Sequence, residues 1–137
     1  MFKLWPLKIF TNKIYHLTPF ELKDQVPFEV KRVYWVTQSA GIPTGQHCHY
    51  VEQEVFVCAA GTMTAVIDQG NGKEMFEMKE GDAVYVPNHV WHGFENLSDD
   101  AVMIAFSSTN YSADRSDYCE DYELYVNEVR SKIKKSK

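Results

Sequence analysis

The sequence predicts an all-β chain that ends in one helix. Short segments rich in β-branched and aromatic residues recur along it, turn signals separate them, and only the last stretch carries a helical stripe. Recurrent short strands of this kind point to a sandwich or a barrel. The 137 residues suit one domain of ordinary size, so residues 1–137 are read as a single domain with its barrel over about 26–110.

The elements follow in order. Lys8 to Tyr15 is a short mixed run, and Leu17 to Gln25 is broken by Pro19 and acidic residues. Phe28 to Val36 alternates apolar and polar residues as a strand does. Ala40-Gly41-Ile42-Pro43-Thr44-Gly45 is a turn-rich loop, followed by Gln46 to Tyr50 and a strand at Glu54 to Ala59. Gly61 to Asp68 and Lys73 to Met78 flank Gln69-Gly70-Asn71-Gly72, a hairpin turn signal. Ala83 to Val86 runs into Pro87, Trp91 to Glu95 is a short strand, and Ala101 to Phe106 is the last strong one. Tyr118, Tyr122, Tyr125, Val126, Val129 and Ile133 recur at threes and fours, which predicts a helix over about 116–134 lying outside the barrel.

Composition narrows the function classes. A hydrophobic fraction of 45% with 24% charged residues is that of a soluble globule, and the 14% aromatic share leans towards strands. The net charge of -5 argues against nucleic acid as a partner, because that recognition needs a basic face. The basic run from Arg130 to Lys137 is read as a solvated end. No apolar run approaches a membrane span, and the start Met1-Phe2-Lys3-Leu4-Trp5-Pro6 lacks the pattern of a signal peptide. Three cysteines (Cys48, Cys58 and Cys119) without a CxxC pair suit free thiols in a reducing cytoplasm.

Residues able to ligate a metal gather in two places. One is His47-Cys48-His49 with Glu54 just beyond, and the other is His92. On a strand His47 and His49 share one face while Cys48 points the other way, which removes Cys48 as ligand or nucleophile. If the strands on either side of Tyr50 to Gln53 are neighbours, Glu54 faces the histidine pair. His16 and His89 are read as satisfied or exposed histidines.

Gly41, His47, His49, Glu54 and Gly61 stand at the spacing of the first cupin motif. Gly81, Pro87, His92 and Asn96 resemble the second, with His89 where the family prefers Gly. The resemblance implies a double-sheet β-barrel, or jelly roll, with its pocket inside. It also implies His47, His49, Glu54 and His92 as ligands of a divalent Fe, Ni, Mn, Zn or Cu, and no organic cofactor. Such a donor set suits those ions and leaves positions open for Lewis-acid chemistry.

A narrower resemblance covers about Val26 to Tyr125. Val26-Pro27 through Val36, Gly45-Gln46-His47-Cys48-His49, Val86-Pro87 through Trp91-His92, and Ser107 to Tyr111 followed by Asp117-Tyr118 and Asp121-Tyr122 resemble the WxcM-like nucleotide-sugar 3,4-ketoisomerases. That likeness implies an isomerase, acting as a cytoplasmic homodimer in deoxysugar or surface-polysaccharide synthesis. It moves a ketone between C3 and C4 of a dTDP-4-keto-6-deoxyhexose through an enediol or enediolate. The family's paired histidines fall on His47 and His49, and histidine suits such proton transfer.

The departures are specific. The family's Arg before Gly-x-His is Thr44, its Lys after the second histidine is Tyr50, and its Tyr on the preceding strand is Thr37. Glu54 stands where Gln is common, and no Asp-x-Arg-Gly is visible around Tyr15-His16. Glu54 favours a cation in the pocket, and the lost Arg and Lys remove charge that would hold a pyrophosphate.

The histidines are therefore either free acid–base groups or metal ligands. In a metal-assisted reaction Tyr34, Tyr85, His89 or Glu52 would move the proton, with Tyr34 placed in the catalytic set. Arg32, Tyr85 and Trp91 are the expected substrate contacts, weighed against an ion pair for Arg32 and core packing for Trp91 and Trp35. A metal-dependent cupin dioxygenase and a non-catalytic ligand-binding cupin are the alternatives.

Overall fold

A computed structural model describes residues 2–37 and 40–130. Lys3–Pro6 (β1) is followed by the small hairpin Phe10–Thr11 (β2) and His16–Leu17 (β3), and by one helical turn, Leu22–Gln25 (α1). Arg32–Thr37 (β4), Thr44–His49 (β5), Glu54–Ala60 (β6) and Thr62–Asp68 (β7) come next. Lys73–Lys79 (β8), Asp82–Val86 (β9), Trp91–Glu95 (β10) and Val102–Ser107 (β11) complete the main strands. The C-terminal part holds Tyr118–Cys119 (β12), Tyr122–Leu124 (α2) and one π-helical turn, Tyr125–Val129.

The strands form two five-stranded sheets, ordered β1-β9-β6-β11-β4 and β12-β5-β10-β7-β8. Every pairing in them is antiparallel. Alternation along each strand decides what fills the space between the sheets. On β11, Met103, Ala105 and Ser107 are buried while Val102, Ile104 and Phe106 are less so. Phe56, Met63, Ile67, Val84, Phe94 and Met103 build the apolar half of the interior. Burying one such side chain contributes about 1.5–3 kcal/mol.

The outer faces are covered by the chain's two ends. Leu7, Phe20, Val26 and Phe28 pack on Val55 and Val57 of the first sheet. Tyr125 and Val129 pack on Cys48, Trp91 and Cys119 of the second. Asp68, fully buried, ties this cover down by accepting from Tyr122 Oη at 2.8 Å. Tyr125 Oη shares its one proton between the carbonyls of Asp68 and His89, at 2.9 and 2.8 Å.

Three sequence expectations need correction. The C-terminal helix starts at Tyr122, because Tyr118 and Cys119 pair with His49 and Cys48 as β12. The Asp121 carboxylate marks that start by accepting from the backbone N–H groups of Glu123 and Leu124. Residues 131–134 of the expected helix lie outside the described residues. The strand expected from Phe28 begins at Arg32, since Phe28 and Val30 pack on the outer face of the first sheet instead of pairing. The sheets also extend beyond 26–110, because β1 pairs with β9 and β12 with β5.

Candidate active site

His47 and His49 enter the interior from β5, two residues apart and on one face. Between them Cys48 points outward into the Trp91 and Tyr125 cluster. Just before them the strand bulges. His92 pairs with His47 and Gly93 with Gly45, which leaves Gln46 as an extra residue with φ of 60°. A bulge of this kind re-aims the next side chain. It needs glycine on both strands. Gly45 has φ of +83°, and a Cβ on Gly93 would lie 2.9 Å from the main-chain nitrogen of Gln46.

Glu54 opens β6, and His92 sits second on β10. One donor atom from each of His47, His49, Glu54 and His92 lies within 4.8 Å of the others. Glu54 Oε1 stands 3.1 Å from His49 Nε2 and 3.5 Å from His92 Nε2. His47 Nδ1 faces the Gly45 carbonyl at 3.0 Å, and His92 Nδ1 the Val90 carbonyl at 3.1 Å. A carbonyl only accepts, so both Nδ1 atoms carry a proton and Nε2 is the atom that each ring turns towards the cluster. Glu54 Oε1 and His92 Nε2 are buried without a hydrogen-bond partner in this structure. A carboxylate oxygen and a ring nitrogen left facing each other in the interior can share a proton or hold a cation between them.

The same convergence divides the charges. Burial opposes ionisation of Glu54, but His49 and His92 outweigh it and hold the carboxyl below the usual range. Burial likewise opposes a charge on His49, but Glu54, Glu52 and Asp117 outweigh it and raise its pKa. His47 has no such surplus of carboxylates. Burial and the neighbouring His92 and His49 rings push it down to about 3. Tyr34 donates to Glu54 Oε2 at 2.5 Å, and burial, then Glu54, raise its phenol well above the ordinary value.

A cavity of about 350 Å³ opens onto this cluster. His47, His92, Tyr34 and Arg32 line it, together with Phe56 and Phe94. His49 is 2% exposed and lies one layer beneath. Arg32 also braces the buried Glu52, Nη2 to Oε1 at 2.7 Å, so it is both an ion-pair residue and a wall of the cavity. Glu52 accepts from Thr109 Oγ1 at 2.6 Å and stands 3.1 Å from His49 Nε2.

Two expected substrate contacts stand elsewhere. Tyr85 is on the outer side of β9, because Val84 and Val86 face the core, and it donates to Gln53 Oε1 at 2.6 Å. Trp91 is buried against Tyr122 and Tyr125, because His92 next to it faces inward. Neither lines the cavity. His89, at φ of 67°, shows why glycine is favoured at that motif position, and it lies by Tyr50 outside the cluster. His16 pairs with Glu80 on the surface.

The sequence reading missed the contribution of residues 111–118. Tyr111, Arg115 and Tyr118 line the cavity. The Arg115 guanidinium lies 3.9 Å from the Tyr118 ring centre. Tyr118 in turn packs edge-on against His47 and His49, with centroids 4.9 and 4.4 Å away. Asp117 faces His49 Nδ1 at 3.4 Å. The signal available was Asp117-Tyr118 itself, part of the matched C-terminal segment.

Comparison with known proteins agrees with this geometry. The chain is 33% identical over 111 residues to the TDP-4-oxo-6-deoxy-alpha-D-glucose-3,4-oxoisomerase of Aneurinibacillus thermoaerophilus, covering 80% of this chain and 78% of that protein. A double variant of the QdtA 3,4-ketoisomerase from Thermoanaerobacterium thermosaccharolyticum, solved with TDP, superposes with a TM-score of 0.85 at 27% identity. The match covers 96% of this chain and 95% of that one. The TDP-fucose-3,4-ketoisomerase WlaRA of Campylobacter jejuni shares the fold, with a TM-score of 0.80 at 20% identity over 93% and 95% of the two chains. Residues 2–130 match the family described as FdtA, WxcM-like, C-terminal, and the chain belongs to that family of cupin-fold proteins.

Proposed function

We propose that this protein is a sugar-nucleotide 3,4-ketoisomerase that converts a TDP-4-keto-6-deoxyhexose into its 3-keto isomer. The observation that carries this reading is His47. It faces the cavity, donates Nδ1–H to Gly45 and keeps Nε2 free as a base.

Isomerisation moves two protons. The C3 hydrogen leaves as a proton to His47 Nε2, its bonding pair forms the C3–C4 double bond, and the 4-keto oxygen becomes an enolate. A proton passes from the C3 oxygen to the C4 oxygen, the C3 ketone forms, and the imidazolium returns its proton to C4. His47 is neutral at physiological pH, so its lone pair is available before substrate arrives. Imidazolium character at His49 and the Tyr34 hydroxyl are both joined to Glu54 and hold its charge beneath the cavity, while the Arg32 guanidinium stands at the cavity wall for developing negative charge.

Arg32 and Arg115, at the cavity wall, supply the positive charge that Thr44 and Tyr50 do not, and guanidinium groups suit a diphosphate. Arg115 is bound to Glu120 at 2.6 Å on the exposed rim, a pair weak enough to exchange for a ligand.

A second reading rests on the unpartnered Glu54 Oε1 and His92 Nε2. With a divalent cation, His47, His49, Glu54 and His92 would hold it, and it would supply Lewis-acid stabilisation of an enolate oxygen. His47 would then be a ligand and not the base. The reading also includes a homodimer, since β4 is a sheet edge whose outer face exposes Val33 and Trp35, the latter 68% exposed. Among the described residues no helix is long and apolar enough to cross a membrane, and the three unbridged thiols suit the cytoplasm.

The test is incubation of the chelated, metal-analysed protein with TDP-4-keto-6-deoxyglucose in D₂O, followed by NMR. Loss of the C3–H signal with formation of a 3-keto sugar is expected. His47→Asn should lower turnover by about 10²–10⁴-fold while TDP still raises the melting temperature. Turnover that needs added metal would replace the free-histidine reading with the second one. No exchange at C3, with or without metal, would remove both.

A further inference from the structure

Asp117 lies just before β12 and accepts three hydrogen bonds from the loop between β5 and β6. Its Oδ1 accepts from Val51 N–H at 2.7 Å and its Oδ2 from Glu52 N–H at 3.0 Å. Its main-chain oxygen accepts from Tyr50 N–H at 3.1 Å. Three successive backbone donors therefore end on one residue 65 or more positions further along the chain. The first of these donors follows His49 directly.

The same Oδ2 stands 3.4 Å from His49 Nδ1. That nitrogen is fully buried and makes no hydrogen bond of ordinary geometry, so the Asp117 carboxylate meets it as an ion-pair contact. The ring's other nitrogen is 3.1 Å from both Glu52 Oε2 and Glu54 Oε1. The three interior histidines thus differ at Nδ1. His47 and His92 each face a main-chain carbonyl two residues back, whereas His49 faces a carboxylate from a distant segment. Tyr118, the residue after Asp117, closes the side of the ring. A carboxylate facing the remote nitrogen of an imidazole fixes both its proton and its orientation.

We propose that Asp117 is a positioning residue that acts through His49. It holds the proton on Nδ1 and fixes the plane of the ring, so that Nε2 stays aimed at Glu52 and Glu54. A surface residue of the C-terminal segment in this way sets the geometry of the buried pair behind His47. The consequence for turnover rests on the ketoisomerase reading, but the placement of the proton does not.

The experiment is ¹⁵N NMR of histidine-labelled, metal-free protein at neutral pH, with kinetics of Asp117→Asn. In the wild type His49 Nδ1 should carry a slowly exchanging proton with resolved one-bond coupling. Asp117→Asn keeps the shape and one backbone acceptor but presents an amide where Nδ1–H needs an acceptor. It should move the His49 Nδ1 resonance and lower kcat roughly 10–100-fold, the usual size for loss of such a partner. KM and TDP affinity should stay within about twofold of wild type.

A wild-type His49 without a proton on Nδ1 would overturn the proposal, and that measurement needs no variant to fold. So would an Asp117→Asn protein whose His49 resonances and kcat are unchanged. That outcome would leave Asp117 only as a staple for Tyr50 to Glu52. If the wild type turns over no keto-sugar, the ketoisomerase reading fails while the NMR result still decides the role of Asp117.

Discussion

Replacing Tyr34 by Phe isolates one bond at the centre of the site. The ring stays between the sheets with Arg32 above it at 5.2 Å, and only the hydroxyl that donates to Glu54 Oε2 is lost. Glu54 is 1% exposed, so no solvent takes the place of that donor. A hydrogen bond to a charged partner contributes about 1.5–3 kcal/mol net. Unfolding entropy near 60 °C is about 2.1 cal/mol/K per residue, which makes roughly 0.29 kcal/mol/K for a chain of this length. The melting temperature should therefore fall by roughly 5–10 °C, read by calorimetry on metal-free protein at pH 7. Turnover should fall as well, with KM less affected, because Glu54 loses the group that holds it against His49. A melting temperature within about 1 °C of wild type would refute the reasoning, since it would mean that Glu54 does not depend on this donor.

Other substitutions and conditions test the surrounding features. Gly45→Ala forces a side chain into a left-handed conformation and places its Cβ 3.0 Å from Gly93 Cα. It should cost at least about 1–2 kcal/mol and lower kcat by turning His47, both measurable on one preparation. Arg115→Ala should weaken TDP binding about tenfold by calorimetry with little change in melting temperature, because its pair with Glu120 is solvent-exposed. Stability against urea should fall on both sides of about pH 6.5. The depressed pKa of His47 means that the unfolded chain takes up a proton first on acidification, so its contribution is lost as pH drops below the unfolded value. The raised pKa of His49 gives a contribution present below that value and lost as pH climbs through its folded one. His47→Gln should flatten the acid limb between pH 6.5 and 4.5, and His49→Gln the alkaline limb.

Where periodicity and turn chemistry agree, the fold is legible in the chain. Gln69 to Gly72 is the turn between β7 and β8, and Trp91 to Glu95 is β10 to the residue. The convergence of His47, His49, Glu54 and His92 follows from the same alternation. The misplacement of Trp91 was avoidable on that rule. If His92 faces inward its neighbour faces outward, and the same parity sends Tyr85 away from Val84 and Val86.

Tyr118 is a different matter. Its spacing from Tyr122 and Tyr125 continues a helical stripe, so local pattern alone assigns it to the helix. What makes it a strand is a partner, His49, about seventy residues earlier. Asp117 and Arg115 were hidden for the same reason. Their roles are set by a pairing of only two residues, too short to leave a period in the sequence.

That short pairing has a consequence for how the protein is made. Both imidazoles on β5 leave the ribosome long before Asp117, Tyr118 and the turn at Tyr125 that clamps them from outside. A nascent chain stalled near residue 110 would hold both sheets' main strands yet leave one flank of the chamber open to solvent. Closure of that flank waits for residues 111–129, which follow every strand from β1 to β11 in the chain.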